Sequence, residues 1–273
     1  MLKQRLMTTI IMIPMVMVTI FLLSSFIFSL ITLLLCLLGA WEWGRLTGLS
    51  LYGQFIWLLL ISILLCIVQQ SLLFNFYTQS LLEIALFWWI IAFTLILYYP
   101  RSILLWYRYK IILLIFGILI IVPFFLGILL LYHSSIGSWL LFYILSLVWS
   151  MDSGSYIFGY IGGRSKMIPK ISPDKTWEGF LGGLLTTSFV SIIFYKNVPD
   201  LYNISPIALL ISSVISSFAS VLGDLTESMF KRISGVKDSS HLIPGHGGLL
   251  DRIDSLTAAI PIFCLLMLFF NTI

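Results

Sequence analysis

Runs of about twenty apolar residues recur along this chain from one end to the other, and no other feature limits its fold so strongly. A bilayer core about 30 Å thick takes roughly 20 apolar helical residues to cross. Run lengths, and the polar or Gly/Pro breaks between them, predict an all-α polytopic membrane protein. The spans fall at about 6–22, 25–43, 54–74, 79–98, 112–132, 138–161, 177–195, 205–223 and 256–271. The break at Ser24-Ser25 is the weakest, and one helix over 7–39 would reduce nine spans to eight. Composition excludes a soluble domain, since only 10% of residues are charged where a soluble chain carries about 25%.

Charge placement checks the count. Lys and Arg concentrate in cytoplasmic loops, and nine spans with the N-terminus inside put all the basic residues except Lys196 on that side. Merging the first two spans would leave Lys3 and Arg5 outside. Ionisable residues are also uneven along the chain, with eight of 26 in 1–151 and the rest in 152–254. The expectation is one membrane domain over 1–273, with 1–151 mainly scaffold and 152–255 carrying the chemistry. Cys36, Cys66 and Cys264 sit singly in apolar runs and form neither a zinc motif nor a disulfide framework.

The densest polar stretch holds Asp224, Glu227, Ser228, Lys231 and Arg232, then Lys237-Asp238, then Pro244-Gly245-His246-Gly247-Gly248, and then Asp251, Arg252, Asp254 and Ser255. On a helix Asp224, Ser228 and Lys231 share a face, as do Asp251, Asp254 and Ser255 on the next. The glycines between them predict a turn that folds one face onto the other. Carboxylates near apolar spans are costly and usually functional. Hard oxygen ligands from two helices suit Mg²⁺, whose shell is completed by water and substrate phosphates. Asp152 interrupts the sixth span and is a further candidate ligand. Gly154, Gly159, Gly162 and Gly163 are expected to permit close helix packing. In the following loop, Arg164 and Lys166 are suited to anionic headgroups, whereas Ser172, Lys175, Thr176 and Glu178 mix hydroxyls, a base and an acid at a helix start. The soluble-type nucleotide patterns Gly-x-x-x-x-Gly-Lys-[Ser/Thr] and Gly-x-Gly-x-x-Gly are absent. No aromatic residue is assigned to base stacking, and nucleic acid is not an expected partner.

The segment from Ser228 through Lys231-Arg232, Lys237-Asp238 and Ile243-Pro244-Gly245-His246-Gly247-Gly248 to Asp251-Arg252 and Asp254 closely resembles the signature of phosphatidate cytidylyltransferases. Asp152-Ser153-Gly154 and Ser172-Pro173-x-Lys175-Thr176-Trp177-Glu178-Gly179 look like further blocks of that family. The resemblance covers about 152–255. It implies about nine membrane helices, a cytoplasm-facing polar cavity, a homodimer in the inner (plasma) membrane of a bacterial-type cell, and a divalent-metal requirement with room for a second cation, monovalent ions included. It also implies the reaction of CTP with phosphatidic acid to give CDP-diacylglycerol and pyrophosphate, with membrane lipid as the surrounding partner, and it makes Asp224 and Asp251 the metal-binding acids.

On that basis Asp224 and Asp251 are expected to hold Mg²⁺, with Asp254 or Asp152 as additional ligands. Lys231, Arg232, Lys237 and Arg252 are expected to neutralise phosphate charge. Asp238 joins the catalytic set and His246 orients it, while Ser172, Lys175, Ser228, Gly247 and Gly248 contact substrate. A transporter with Asp152 on an ion path would call for internal repeats, and none is seen. A CTP-using polyprenol kinase is the nearer rival, and it would transfer the γ-phosphate.

Overall fold

The computed structural model describes residues 2–73, 77–243, 245 and 247–272. Its elements in chain order are α1 (Leu2–Phe21), α2 (Ser25–Leu46), α3 (Leu51–Leu73), α4 (Thr78–Leu97), a short α5 (Ile103–Trp106), α6 (Lys110–His133), α7 (Gly137–Gly162), strands β1 (Lys166–Ile168) and β2 (Ser172–Thr176), α8 (Trp177–Asn197), α9 (Pro206–Ile233) and α10 (Leu250–Phe269). Among the described residues, eight helices, α2 to α4 and α6 to α10, are long and apolar enough to cross a membrane, as in a multi-pass membrane protein. The break at Ser24 exists, so α1 is a separate helix, and its described apolar part is the shorter stretch Ile10–Phe21.

One expectation is corrected and another is met. The basic loop after α7 is not irregular, because β1 and β2 pair antiparallel with Lys166 opposite Thr176 and Ile168 opposite Ser172. The helix that carries Asp224 runs on past the apolar span 205–223 to Ile233, so Asp224, Ser228 and Lys231 lie on one helix as expected. Apolar run length detects only the part of a helix that meets lipid, and the polar continuation of α9 is held by its neighbours instead. It ends where Gly235 takes a positive φ of 69° and the Val236 amide returns to the Lys231 carbonyl at 3.0 Å, a glycine stop that satisfies the last orphan carbonyls.

Close approach fixes the half of the bundle that carries the polar residues. Side chains at Gly154, Gly179, Gly182 or Gly183 would collide with Thr186, Ser155, Phe158 and Met151 across the α7–α8 contact. Without a hydrophobic drive between helices in lipid, such small residues permit backbone contact, as expected for Gly154. Gly182→Ala would press on the Cβ of Phe158, which cannot swing aside. We expect it to cost about 1–3 kcal/mol, read as a lowered thermal midpoint in detergent, and an unchanged midpoint would contradict this packing. In the other half, Trp43 donates Nε1–H to the Leu113 carbonyl at 2.9 Å and Trp57 donates to Ala40 at 2.8 Å, tying α2 to α6 and α3. Both indoles thus bury their area with the polar edge satisfied.

Candidate active site

The polar ends of α9 and α10 meet because Gly223 has no side chain. A Cβ there would strike the Asp254 carbonyl, so glycine brings Asp224 and Asp254 to the contact between the two helices. One helical turn onward, Ser228 donates Oγ–H to Asp224 Oδ1 at 3.2 Å. The expected shared face of α9 therefore exists. Strand β2 docks on it, with Lys175 Nζ 2.6 Å from Asp224 Oδ2 and Arg232 Nε donating to the Ile171 carbonyl at 3.3 Å. Thr176 caps α8 by accepting from the Gly179 amide at 3.1 Å, a standard satisfaction of an orphan helix donor. Glu178 accepts from the amides of Arg164 and Ser165. The Ser172-to-Gly179 block thus places Lys175 rigidly, while Ser172 itself pairs within the hairpin.

A second cluster forms around Lys231, whose ammonium lies 2.6 Å from Asp251 Oδ1 and 3.4 Å from Glu227 Oε1. Asp251 Oδ2 accepts from the Ser239 amide and hydroxyl, both at 2.9 Å, and from the Gly248 amide at 2.7 Å. The turn between α9 and α10 closes with the Ile243 amide donating to the Gly247 carbonyl at 2.9 Å, and Gly245 and Gly247 take positive φ. Expected roles for His246 and Pro244 lie outside the described residues. A Cβ on Gly247 would crowd Asp251 and Asp238, and one on Gly248 would strike Ser239 and a further carboxylate, Glu42. These two glycines let acids approach the backbone, which is the contact the structure gives them.

Glu42 was not singled out by sequence reasoning. It lies on α2, wholly buried, accepts from the Leu249 amide at 2.9 Å, the Leu250 amide at 2.6 Å and Ser240 Oγ, and shares the single Ser239 hydroxyl proton, at 3.0 Å, with Asp251. It therefore caps α10 from another helix and fastens the loop whose Ser239 also binds Asp251. The available signal was a lone acid inside the predicted span 25–43, since an ionisable group at that depth is functional by default.

The chemistry of the arrangement follows from its charges. Asp152 stands open on α7, yet it acts electrostatically on Asp224, Lys175 and Arg252, and Asp254 acts on both Asp224 and Asp152. Gly223 brings Asp224 of α9 and Asp254 of α10 to one helix contact, Lys175 pairs with Asp224, and Lys231 pairs with Asp251 beside it. Among the described residues no three acids, histidines or cysteines converge tightly enough to cage an ion alone. An all-oxygen donor set of this kind nevertheless fits Mg²⁺, which is usually held by one or two carboxylates plus substrate phosphates and water. Lys237 and Asp238 line a neighbouring hollow, where Asp238 stands against Gly247 beside Asp251 and Ser239 is shared with the Asp251 network.

Comparison with known proteins gives the same direction over the full chain. Residues 3–270 match the model of the Cytidylyltransferase family. The chain is 41% identical over 284 residues to the phosphatidate cytidylyltransferase of Haemophilus influenzae, covering 96% of this chain and 97% of that one. It is 39% identical over 269 residues to the phosphatidate cytidylyltransferase of Pseudomonas aeruginosa, covering 98% and 97%. Carboxylates and bases gathered at one end of an apolar bundle suit phosphate chemistry at a lipid surface, and with these matches over nearly its whole length the chain belongs to the cytidylyltransferase family.

Proposed function

We propose that this protein transfers the cytidylyl group of CTP to phosphatidic acid, forming CDP-diacylglycerol and releasing pyrophosphate. The observation that carries this reading is the pairing of Asp224 with Lys175 and of Asp251 with Lys231 at the polar ends of α9 and α10, where Gly223 also brings Asp254 to the helix contact, in a chain of this family. A phosphate oxygen of the lipid attacks the α-phosphorus of CTP, the bond to the β-phosphate breaks, and the leaving pyrophosphate takes the electron pair. The nucleophile is already anionic, so no covalent enzyme intermediate is needed. Catalysis then rests on positioning and charge neutralisation.

In this reading Asp224 and Asp251 would hold Mg²⁺, with Asp254 or Asp152 adding a ligand, and the ion would supply neutralisation of phosphate charge. Asp224 would be one ligand of that ion, and Lys175, paired with it at 2.6 Å, is placed to hold a phosphate oxygen beside it. Lys231 stays between Asp251 and Glu227 and neutralises charge from a fixed position. Arg232 and Arg252 supply further positive charge, whereas Lys237, expected to share in this, lines the neighbouring hollow. The accompanying location is the inner membrane with the N-terminus in the cytoplasm, supported by the one-sided distribution of Lys and Arg. The homodimer rests on the family resemblance. Purified protein given CTP should release pyrophosphate only when phosphatidic acid is added, and lipid-independent release at the same rate would overturn the acceptor assignment.

A further inference from the structure

A hollow of about 680 Å³ opens between the end of α2, the segment joining α5 to α6, and the loop after α9. Arg45, Arg108, Lys110 and Lys237 line it, and one acid, Asp238, stands against them. Four cations less one carboxylate leave a net charge of +3 in a space of ordinary small-ligand size, roughly 300–1,000 Å³. The walls are tied together. Lys110 Nζ donates to the Gly48 carbonyl at 2.8 Å, joining the start of α6 to the end of α2. Ser234 Oγ donates to the Leu46 carbonyl at 2.8 Å, joining the end of α9 to α2. Buried Ser239 and Ser240 line it as well, held by Glu42.

Bases that merely face headgroups would be spread around the rim of the bundle. Here three segments far apart in sequence bring them into one concavity, and two of those segments belong to the half of the chain expected to be scaffold. We propose that this hollow is a binding site for a phosphate-bearing polyanion, with Arg45 and Arg108 as its principal ligands. The chemistry is shared by a free polyphosphate and by a lipid phosphate headgroup. None of Asp152, Asp224 and Asp254 lines this hollow, which adjoins the Lys231–Asp251 pair through Ser239.

The test uses the full chain in nanodiscs of zwitterionic lipid, with labelled inorganic pyrophosphate as the probe and no turnover required. The double variant Arg45→Gln/Arg108→Gln should weaken pyrophosphate binding at least tenfold. The charge-retaining Arg45→Lys/Arg108→Lys should recover most of it, and Arg101→Gln, outside the hollow, should leave it unchanged. A second arm measures the phosphatidic acid concentration for half-maximal velocity. If only that value rises in the double Gln variant, the site is confirmed and its source of phosphate is the lipid. If neither quantity moves, or if Arg101→Gln moves them equally, the proposal is overturned. Because pyrophosphate binding is read without catalysis, failure of the transfer reaction itself would be a separate result.

Discussion

Asp224→Asn should reduce cytidylyl transfer by a factor on the order of 10²–10³, the usual scale for removing one group that stabilises charge in a transition state. The protein should remain folded. The Lys175 and Asp224 side chains are 25% and 29% exposed, and pairs with access to solvent contribute about 1 kcal/mol or less. Asparagine also keeps an oxygen that can accept from Ser228. The variant therefore separates function from stability, with turnover falling while the thermal midpoint in detergent stays nearly constant. Near-normal turnover would remove Asp224 from the catalytic account, and unfolding would make it a structural residue.

Glu42→Ala should have the opposite balance, with stability lost first and activity lost as its consequence. The carboxylate accepts from two amides at the start of α10 and from the Ser240 hydroxyl, three donors that would lose their partner, and shares the Ser239 hydroxyl with Asp251. Each buried donor left without a partner costs about 1–3 kcal/mol, so a total loss of roughly 3 kcal/mol or more is expected. Glu42→Gln retains one oxygen with two acceptor positions and should fall between Ala and the natural residue. Denaturant or thermal unfolding measures the order Glu, Gln, Ala. A change below about 0.5 kcal/mol for Ala, the range of surface substitutions, would show that α10 is fixed by other means.

The contrast between these two residues shows what the sequence could disclose. Asp224 was legible because its setting is local, with Ser228 one turn away and a lysine beyond, and helical periodicity places all three on one face. The turn at Gly245 and Gly247 was legible for the same reason, since glycine marks positive φ. Glu42 was hidden because its partners lie about two hundred residues away, in a loop that no periodicity describes. The hairpin was hidden by its brevity, with strands of 3 and 5 residues, one of them containing Pro173, and no alternating pattern. Apolar run length alone ended the span near 223, because the last turns of α9 are polar, and it was the helical spacing of Asp224, Ser228 and Lys231 that carried the helix further. Arg45 and Arg108 read as isolated loop bases until the fold drew them together.

The most direct measurement follows the phosphorus atoms of CTP. Protein reconstituted with phosphatidic acid and Mg²⁺ is given CTP labelled at the α- or the γ-phosphate, and the lipid and aqueous products are separated. The account predicts α-label in the lipid fraction as CDP-diacylglycerol and γ-label in water as pyrophosphate, with both products lost in Asp224→Asn. γ-Label in the lipid with release of CDP would contradict it and identify a kinase instead.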